Sequence, residues 1–485
     1  MDSDPLPVHR LGLSLVLLSV LLIGLSLRLI MLGRDVRLSP DEALFAAQSR
    51  LISHRGDILL QTTDLDKPPL TFFVTALSFR LLGPSEFAAR LPNTFFSVLS
   101  LAVLYQLART LHPSRTLALV ALLLWALSPY DLSFSATVFT DVQATFWVLL
   151  SCWLAVRARW ELAGIAAALM VASKTNAILF LPLILALGFA YNVNVPDLPT
   201  LRRVIWRFFY PFLLGVALLV LWDWLRQSPS FFELGYQRNN PRRFIRSAEL
   251  WPRLKQWFHW LATVTGSSWL TGAFLLALPF WLARRNRSYS ALSDWLIAAF
   301  ALAFLSWHWL IAFNTYDRYI HTLVPFLLIL ATHILTSLPK QLLFAVLLIP
   351  LLILPSTLHT LRATTDDSTG IDHLANYLNT ELSGEIIYDH WLGWQLSYYL
   401  GNNPHVIVLY MPLPDDLAVD MAAQSYPRYL VAPSPQIAAP WLAALDHVHL
   451  HTTLIKVDNF VIYKIWPYQP SSLYILLDPM CWGNR

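Results

Sequence analysis

LGLSLVLLSVLLIGLSLRLIML, residues 11–32, runs straight into GRDVRLSPDEALFAAQ, residues 33–48. As α-helix the first stretch reaches the ~30 Å of a bilayer core. It exceeds a signal-peptide core and carries no small-residue cleavage site before Arg34, so it reads as a retained span. The second stretch sets two acids, Asp41 and Glu42, just beyond the membrane edge.

The rest of the chain repeats the first pattern. Of 485 residues, 56% are hydrophobic and only 13% charged, which excludes an ordinary soluble domain. Runs broken by Lys and Arg predict about eleven spans, near residues 11–32, 92–111, 116–135, 142–157, 161–173, 177–193, 208–225, 261–282, 291–312, 320–338 and 341–359. Strict polar/apolar alternation is rare in these runs, which argues against a transmembrane barrel. After residue 360, segments such as EIIYD, HVIVLYM, RYLVAP and NFVIYKIWP predict short strands, and GIDHLANYLNTEL a helix. The expected architecture is a polytopic α-helical membrane domain, 10–360, a small α/β domain, 361–468, and a tail, 469–485. Cys152 and Cys481 lack metal-ligand spacing and imply no disulfide framework.

With the N-terminus inside, the short connections RTLHPSR, RARWE, PDLPTLRRVIWR, ARRNRS and PKQ face the cytoplasm, as the positive-inside rule favours. The long loop 33–91, the TVFTD turn, the loop 226–260 and NTYDRYIH then share the outer side, together with the C-terminal domain. Two of these loops are cationic. Arg34, Arg37, Arg50, Arg55, Lys67, Arg80 and Arg90 lie in the first, and Arg238, Arg242, Arg243, Arg246, Arg253 and Lys255 in the second. Positive charge on the disfavoured side calls for a bound anion or leaves plain exposed basic loops.

Within the outer segments, SPDE has the form of a helix start, with Ser39 as N-cap, Pro40 at the first helical position and Glu42 closing a capping box. That box leaves Asp41 unused, a carboxylate kept ionised by the helix dipole and a candidate base. In DKPPL a proline again suits a first helical position, so Lys67 beside exposed N–H groups is either a phosphate ligand or an interfacial lysine. Asp141 sits in apolar surroundings, where an ionisable group is costly unless it faces a cavity or partner. Asp131 follows the SP break and reads as a turn residue, while Lys174 marks a boundary between apolar runs. Tyr316, Arg318 and Tyr319 open a late span; Arg318 offers a fork of donors to phosphate, and the tyrosines donate or stack, unless the group is an interfacial belt. DHVHLH puts His447, His449 and His451 on one side of a predicted strand, at a spacing compatible with a metal.

SPDEALFAAQ, DKPPLTFF, GPSEFAARLPN, VFTDVQATFW, MVASKTNAILFLP and YDRYIHTLVPF, in that order, resemble the GT-C membrane glycosyltransferases of the aminoarabinose-transferase and protein O-mannosyltransferase type. The resemblance covers about residues 10–360. It implies transfer of a sugar from a polyprenyl-phosphate carrier to a lipid, glycan or protein hydroxyl on the extracytoplasmic face of the inner or plasma membrane, with no nucleic-acid partner. It implies Asp41, with Glu42 and Asp141, as the catalytic acids. Lys67, Arg318, Tyr319, Tyr316 and Lys174 are then the donor-phosphate site. The aminoarabinose branch pairs an acid before its Lys-Pro-Pro with a loop histidine at a divalent metal; the matching residues here are Asp66 and His259. The absence of a dinucleotide-binding glycine motif or a P-loop accords with a lipid-linked donor. A carrier-lipid transporter would use a similar cationic cavity, but it calls for midplane polar residues and matched halves. An oligosaccharide ligase using the same carrier is the other alternative.

Overall fold

The computed structural model describes residues 7–192, 198–283, 289–336, 343–363, 366, 368–401 and 403–467. The tail 469–485 and the basic connections at 284–288 and 339–341 lie outside them. Two compact units result: Met1–Asp35 with Gln48–Thr365, and Val36–Ala47 with Asp366–Arg485.

The first unit is helical. Its helices are α1 (Pro7–Leu32), the later part of α2 (Pro40–Arg55), α3 (Leu70–Leu82), α4 (Glu86–Leu111), α5 (Arg115–Leu127), α6 (Pro129–Ser135), α7 (Thr140–Val156) and α8 (Trp160–Ser173). There follow α9 (Leu181–Asn192), α10 (Leu198–Leu225), α11 (Phe231–Asn239), α12 (Ser247–Thr265), α13 (Ser268–Ala283), α14 (Tyr289–Leu310), α15 (Val324–Thr336) and α16 (Leu343–Arg362). Among the described residues, five helical stretches are long and apolar enough to cross a membrane: Ser14–Leu32, Glu86–Leu111, Thr175–Asn192, Leu201–Leu225 and Ala291–Leu310. α10 leaves Leu213, Leu214, Leu218 and Leu221 exposed, a face suited to lipid tails. This is a multi-pass membrane protein.

Two expected spans are broken. The run at 116–135 splits into α5 and α6, bent by 60°. Ser128 caps α6 and Pro129 opens it, so no helix continues through. The run at 261–282 straddles α12 and α13, bent by 105°. Gly266 between them has φ +67°, and a Cβ there would lie 2.3 Å from Ser356 Cβ. The two breaks meet. Ser128 Oγ donates to Val264 O at 2.8 Å, Ser356 Oγ to Gly266 O at 3.1 Å, and the Thr357 hydroxyl to Leu127 O. Carbonyls freed by bending are thereby satisfied without water. The weakly marked span at 161–173 is α8, about 21 Å long, packed between α7 and α10. Gly164 allows the second contact: a Cβ there would stand 2.2 Å from Phe208 O.

The second unit is a mixed α/β domain with strands β1 (Ile386–Asp389), β2 (Ile407–Tyr410), β3 (Arg428–Ala432), β4 (Thr452–Val457) and β5 (Phe460–Ile465), in spatial order β2-β1-β3-β5-β4. β1 pairs in parallel with β2 and β3, and the β4–β5 hairpin is antiparallel. Successive residues of the central strands serve opposite faces. Ile387, Val431 and Ile462 pack with α17 (Ile371–Thr380) and α18 (Gly393–Tyr399), whereas Tyr388, Leu430 and Val461 pack with α19 (Pro414–Ala422) and α20 (Pro435–His447). The expected histidine strand is absent: His447 ends α20, His449 takes φ +57°, and His451 precedes β4. The burial of Leu450 between them, at 6% exposure, replaces alternation with a tight turn. Val36–Ala47, read from the sequence as part of the first outer loop, joins this unit. Arg37 N donates to Asp366 Oδ2 at 2.9 Å, its guanidinium pairs with Asp372 at 3.3 Å, and Leu38 N donates to the Tyr399 hydroxyl at 2.8 Å.

Candidate functional site

The turn into α7 is held from α4. Asn93 Nδ2 donates to the carbonyls of Thr137 and Phe139, both at 2.7 Å, and its Oδ1 accepts from Gln143 Nε2 at 3.0 Å. This clamp presents Asp141 in the first turn of α7, where N–H groups and the helix dipole favour its charge. Asp141 is 3% exposed and forms an ion pair with Lys174, the C-cap of α8. The Lys174 ammonium also lies over the Tyr319 ring, 5.4 Å from its centroid.

Further charged groups gather around this pair. Arg318 is near enough to act electrostatically on both Asp141 and Lys174, and Lys67 acts on Lys174 as well. The Arg318 guanidinium stacks at 5.1 Å from each of the Phe139 and Tyr316 ring centroids. Lys67 lies three positions before the start of α3 and pairs with Asp66 at 2.6 Å. Tyr316 is exposed and meets the Tyr319 ring edge-on at 5.6 Å. Asp317 is half-buried, and burial pushes its carboxyl above the usual carboxylate range. Its carbonyl accepts from the Tyr130 hydroxyl at 2.8 Å. The structure thus brings together Lys67, Asp141, Lys174, Arg318, Tyr316 and Tyr319.

A second charged group lies beneath, and here the sequence reading needs correcting. Asp131, expected to be a turn residue, is 1% exposed. It forms an ion pair with Arg28 of α1 and lies 3.2 Å from His321 Nε2. Arg28 Nε donates to Ser97 Oγ at 2.7 Å, and His321 Nδ1 lies 2.9 Å from Thr145 Oγ1. The network ties α1, α4, α6 and α7 to the segment that carries Arg318. Arg28, alone among apolar residues in the first span, was the available signal: a buried guanidinium has to find a carboxylate.

Asp41 and Glu42 belong to the second unit, in the first turn of α2. Glu42 Oε2 accepts from Ser39 N at 3.1 Å and from Ser39 Oγ at 2.9 Å, so its carboxylate serves the helix start. Asp41 is half-buried. Asp66 is engaged by Lys67, and His259 is exposed beside the Trp260 ring at 4.9 Å. Among the described residues neither Asp66 nor His259 joins a set of three ligand atoms within metal-binding distance.

Residues 66–224 match a family model described as dolichyl-phosphate-mannose-protein mannosyltransferase. That stretch contains Lys67, Asp141 and Lys174. Two crystal structures of ArnT from Cupriavidus metallidurans superpose over 92% of this chain and 97% of theirs: the form bound to undecaprenyl phosphate with TM-score 0.68 at 17% identity, and the apo form with 0.66 at 18%. The chain has the GT-C fold. Undecaprenyl phosphate-alpha-4-amino-4-deoxy-L-arabinose arabinosyl transferases share parts of this GT-C chain. That of Pectobacterium carotovorum is 30% identical over 31% of this chain and 30% of its own length, and that of Pseudomonas paraeruginosa 26% identical over 55% and 51%. The chain thus spans at most about half the length of these curated relatives.

Proposed function

We propose that this GT-C protein is a glycosyltransferase that moves a sugar from a polyprenyl-phosphate carrier to an acceptor hydroxyl at the extracytoplasmic face. The observation that carries the reading is the gathering of Lys67, Lys174 and Arg318 about the buried carboxylate of Asp141. Asp141 answers one of these cations, and Asp66 lies against another. Lysine and arginine donors grouped in this way suit a phosphate, which the arginine meets with a fork of N–H groups.

In the proposed reaction the acceptor oxygen attacks the anomeric carbon. Its proton passes to a carboxylate base, and the bond from that carbon to the phosphate oxygen breaks with its electron pair leaving on the phosphate. Lys67 and Arg318 meet the developing charge, Tyr316 and Tyr319 border the sugar or phosphate, and Lys174 holds Asp141 in place. Asp41 is proposed as that base on the resemblance of SPDEALFAAQ to the family's first-loop acidic motif. General-base help is typically worth ~10²- to 10⁴-fold. The relatives named as aminoarabinose transferases favour an amino-pentose donor on undecaprenyl phosphate.

The test uses purified protein in proteoliposomes with a panel of undecaprenyl-phosphate sugars, measuring transfer and, separately, undecaprenyl-phosphate binding. Asp41→Asn is expected to bind the carrier and fail in transfer. Full transfer by that variant removes Asp41 as base, and unchanged carrier affinity in Lys67→Ala removes the phosphate site.

A further inference from the structure

A third cluster of ionisable side chains lies far from the site just described. His112 caps the C-terminal end of α4, 19 positions beyond Asn93 and so about 28 Å along the helix axis. Asp294 lies in the second turn of α14 and His333 near the end of α15. His112 Nε2 is 3.1 Å from Asp294 Oδ1, and His333 Nδ1 is 3.0 Å from Asp294 Oδ2. The two imidazoles stand edge to face at 4.0 Å between centroids, and the Trp281 ring closes over His333 at 4.9 Å. His112 is 2% exposed and Asp294 fully buried.

As a purely hydrogen-bonded triad this arrangement is poor. Neither ring nitrogen of His112 makes a hydrogen bond of acceptable geometry, although both are out of reach of solvent. Leaving such a group unsatisfied costs ~1–3 kcal/mol, and orphans of this kind point to an ion or water. One ligand atom from each residue falls within 4.8 Å of the others. Ligands at ~2.0–2.1 Å from a tetrahedral Zn²⁺ stand about 3.3 Å apart, and the Asp294 carboxylate, with a different oxygen toward each ring nitrogen, lies between the two imidazoles. Two neutral imidazoles and a carboxylate are a set that suits zinc and its neighbours, with a fourth position for water.

We propose that His112, Asp294 and His333 form a divalent transition-metal site, zinc being its natural occupant, which fastens α4, α14 and α15 together at the end of the bundle remote from Asp141. The site is independent of the transfer reaction. It requires that imidazole protons move to the outward nitrogens, which for His112 is Nδ1.

The test takes the full-length, untagged protein in detergent, stripped with chelator and titrated with Co²⁺ and then Zn²⁺. The wild type is expected to develop visible Co²⁺ bands that Zn²⁺ abolishes at about one equivalent. His112→Ala and His333→Gln are expected to weaken binding by more than the ~10- to 100-fold that an outer-shell loss costs. A His447→Ala, His449→Ala, His451→Ala variant controls for the loop histidines and is expected to bind as the wild type does. Should His112→Ala fail to fold, the partly buried His333 position carries the comparison. No bands in the wild type, bands retained in His333→Gln, or bands lost in the loop-histidine control would each overturn the proposal.

Discussion

Two buried ion pairs sit in the same helical unit and behave as opposites. Around Asp131 the acceptors and donors are matched: Arg28 and His321 meet its two oxygens, and Ser97 and Thr145 take up the outward nitrogens. Around Asp141 the grouping is looser, with Arg318 and Lys67 acting on the Lys174 pair from a distance, each beside a carboxylate of its own segment, and aromatic rings lining the approach. A closed network can only support its surroundings. An open one has room for a ligand's charge, at the cost of repulsion while that ligand is absent.

Substitutions can break this contrast. Asp131→Asn strands a fully buried guanidinium and is expected to lower stability by roughly 3–5 kcal/mol, read by thermal unfolding in detergent. An unchanged melting temperature would mean that the network is not closed. Lys67→Ala and Arg318→Ala should leave melting nearly as it was while reducing transfer by ~10²- to 10³-fold, the usual cost of losing a donor at a developing charge. A destabilised but active Arg318→Ala would reverse the assignment of the two clusters. A double-mutant cycle on Asp141→Asn and Lys174→Met sharpens it. Each single change leaves a buried charge alone, and the double change should recover ~0.5–3 kcal/mol of the summed loss.

The smallest effect is expected in the α/β unit. His373 pairs with Asp458 in the β4–β5 turn, and Asp372 adds to the hold, so its pKa is raised above the ordinary histidine value. The bonus is therefore complete below the unfolded value of about 6.5 and fades as pH rises through the raised folded one. Hydrogen exchange in α17 and the turn should accelerate over that window, and His373→Ala should flatten the dependence.

The sequence showed most where a charge stands in an apolar run with no local answer. Asp141 stands out in this way, and the structure pairs it with Lys174, read as a boundary cation 33 positions on. Arg28 carried the same signal, but its partner Asp131 lies 103 positions away beside a break that explained the acid locally. The Ser128–Pro129 interruption is visible in composition, whereas the bend at Gly266 is not, because a lone glycine is tolerated inside a helix. DHVHLH alternates like a strand, yet a buried leucine and a left-handed residue turn it into a loop. TTLIKV, half polar, concealed β4.

The crossing of the two bent spans means that neither discontinuity is autonomous. Ser128 answers a carbonyl of the other helix pair, and Ser356 reaches into the space that Gly266 vacates. The two kinks form one interlocked knuckle. Straightening either helix would leave unmet polar atoms in the other, so drift at any of these three positions is constrained by its counterparts on separate stretches of chain.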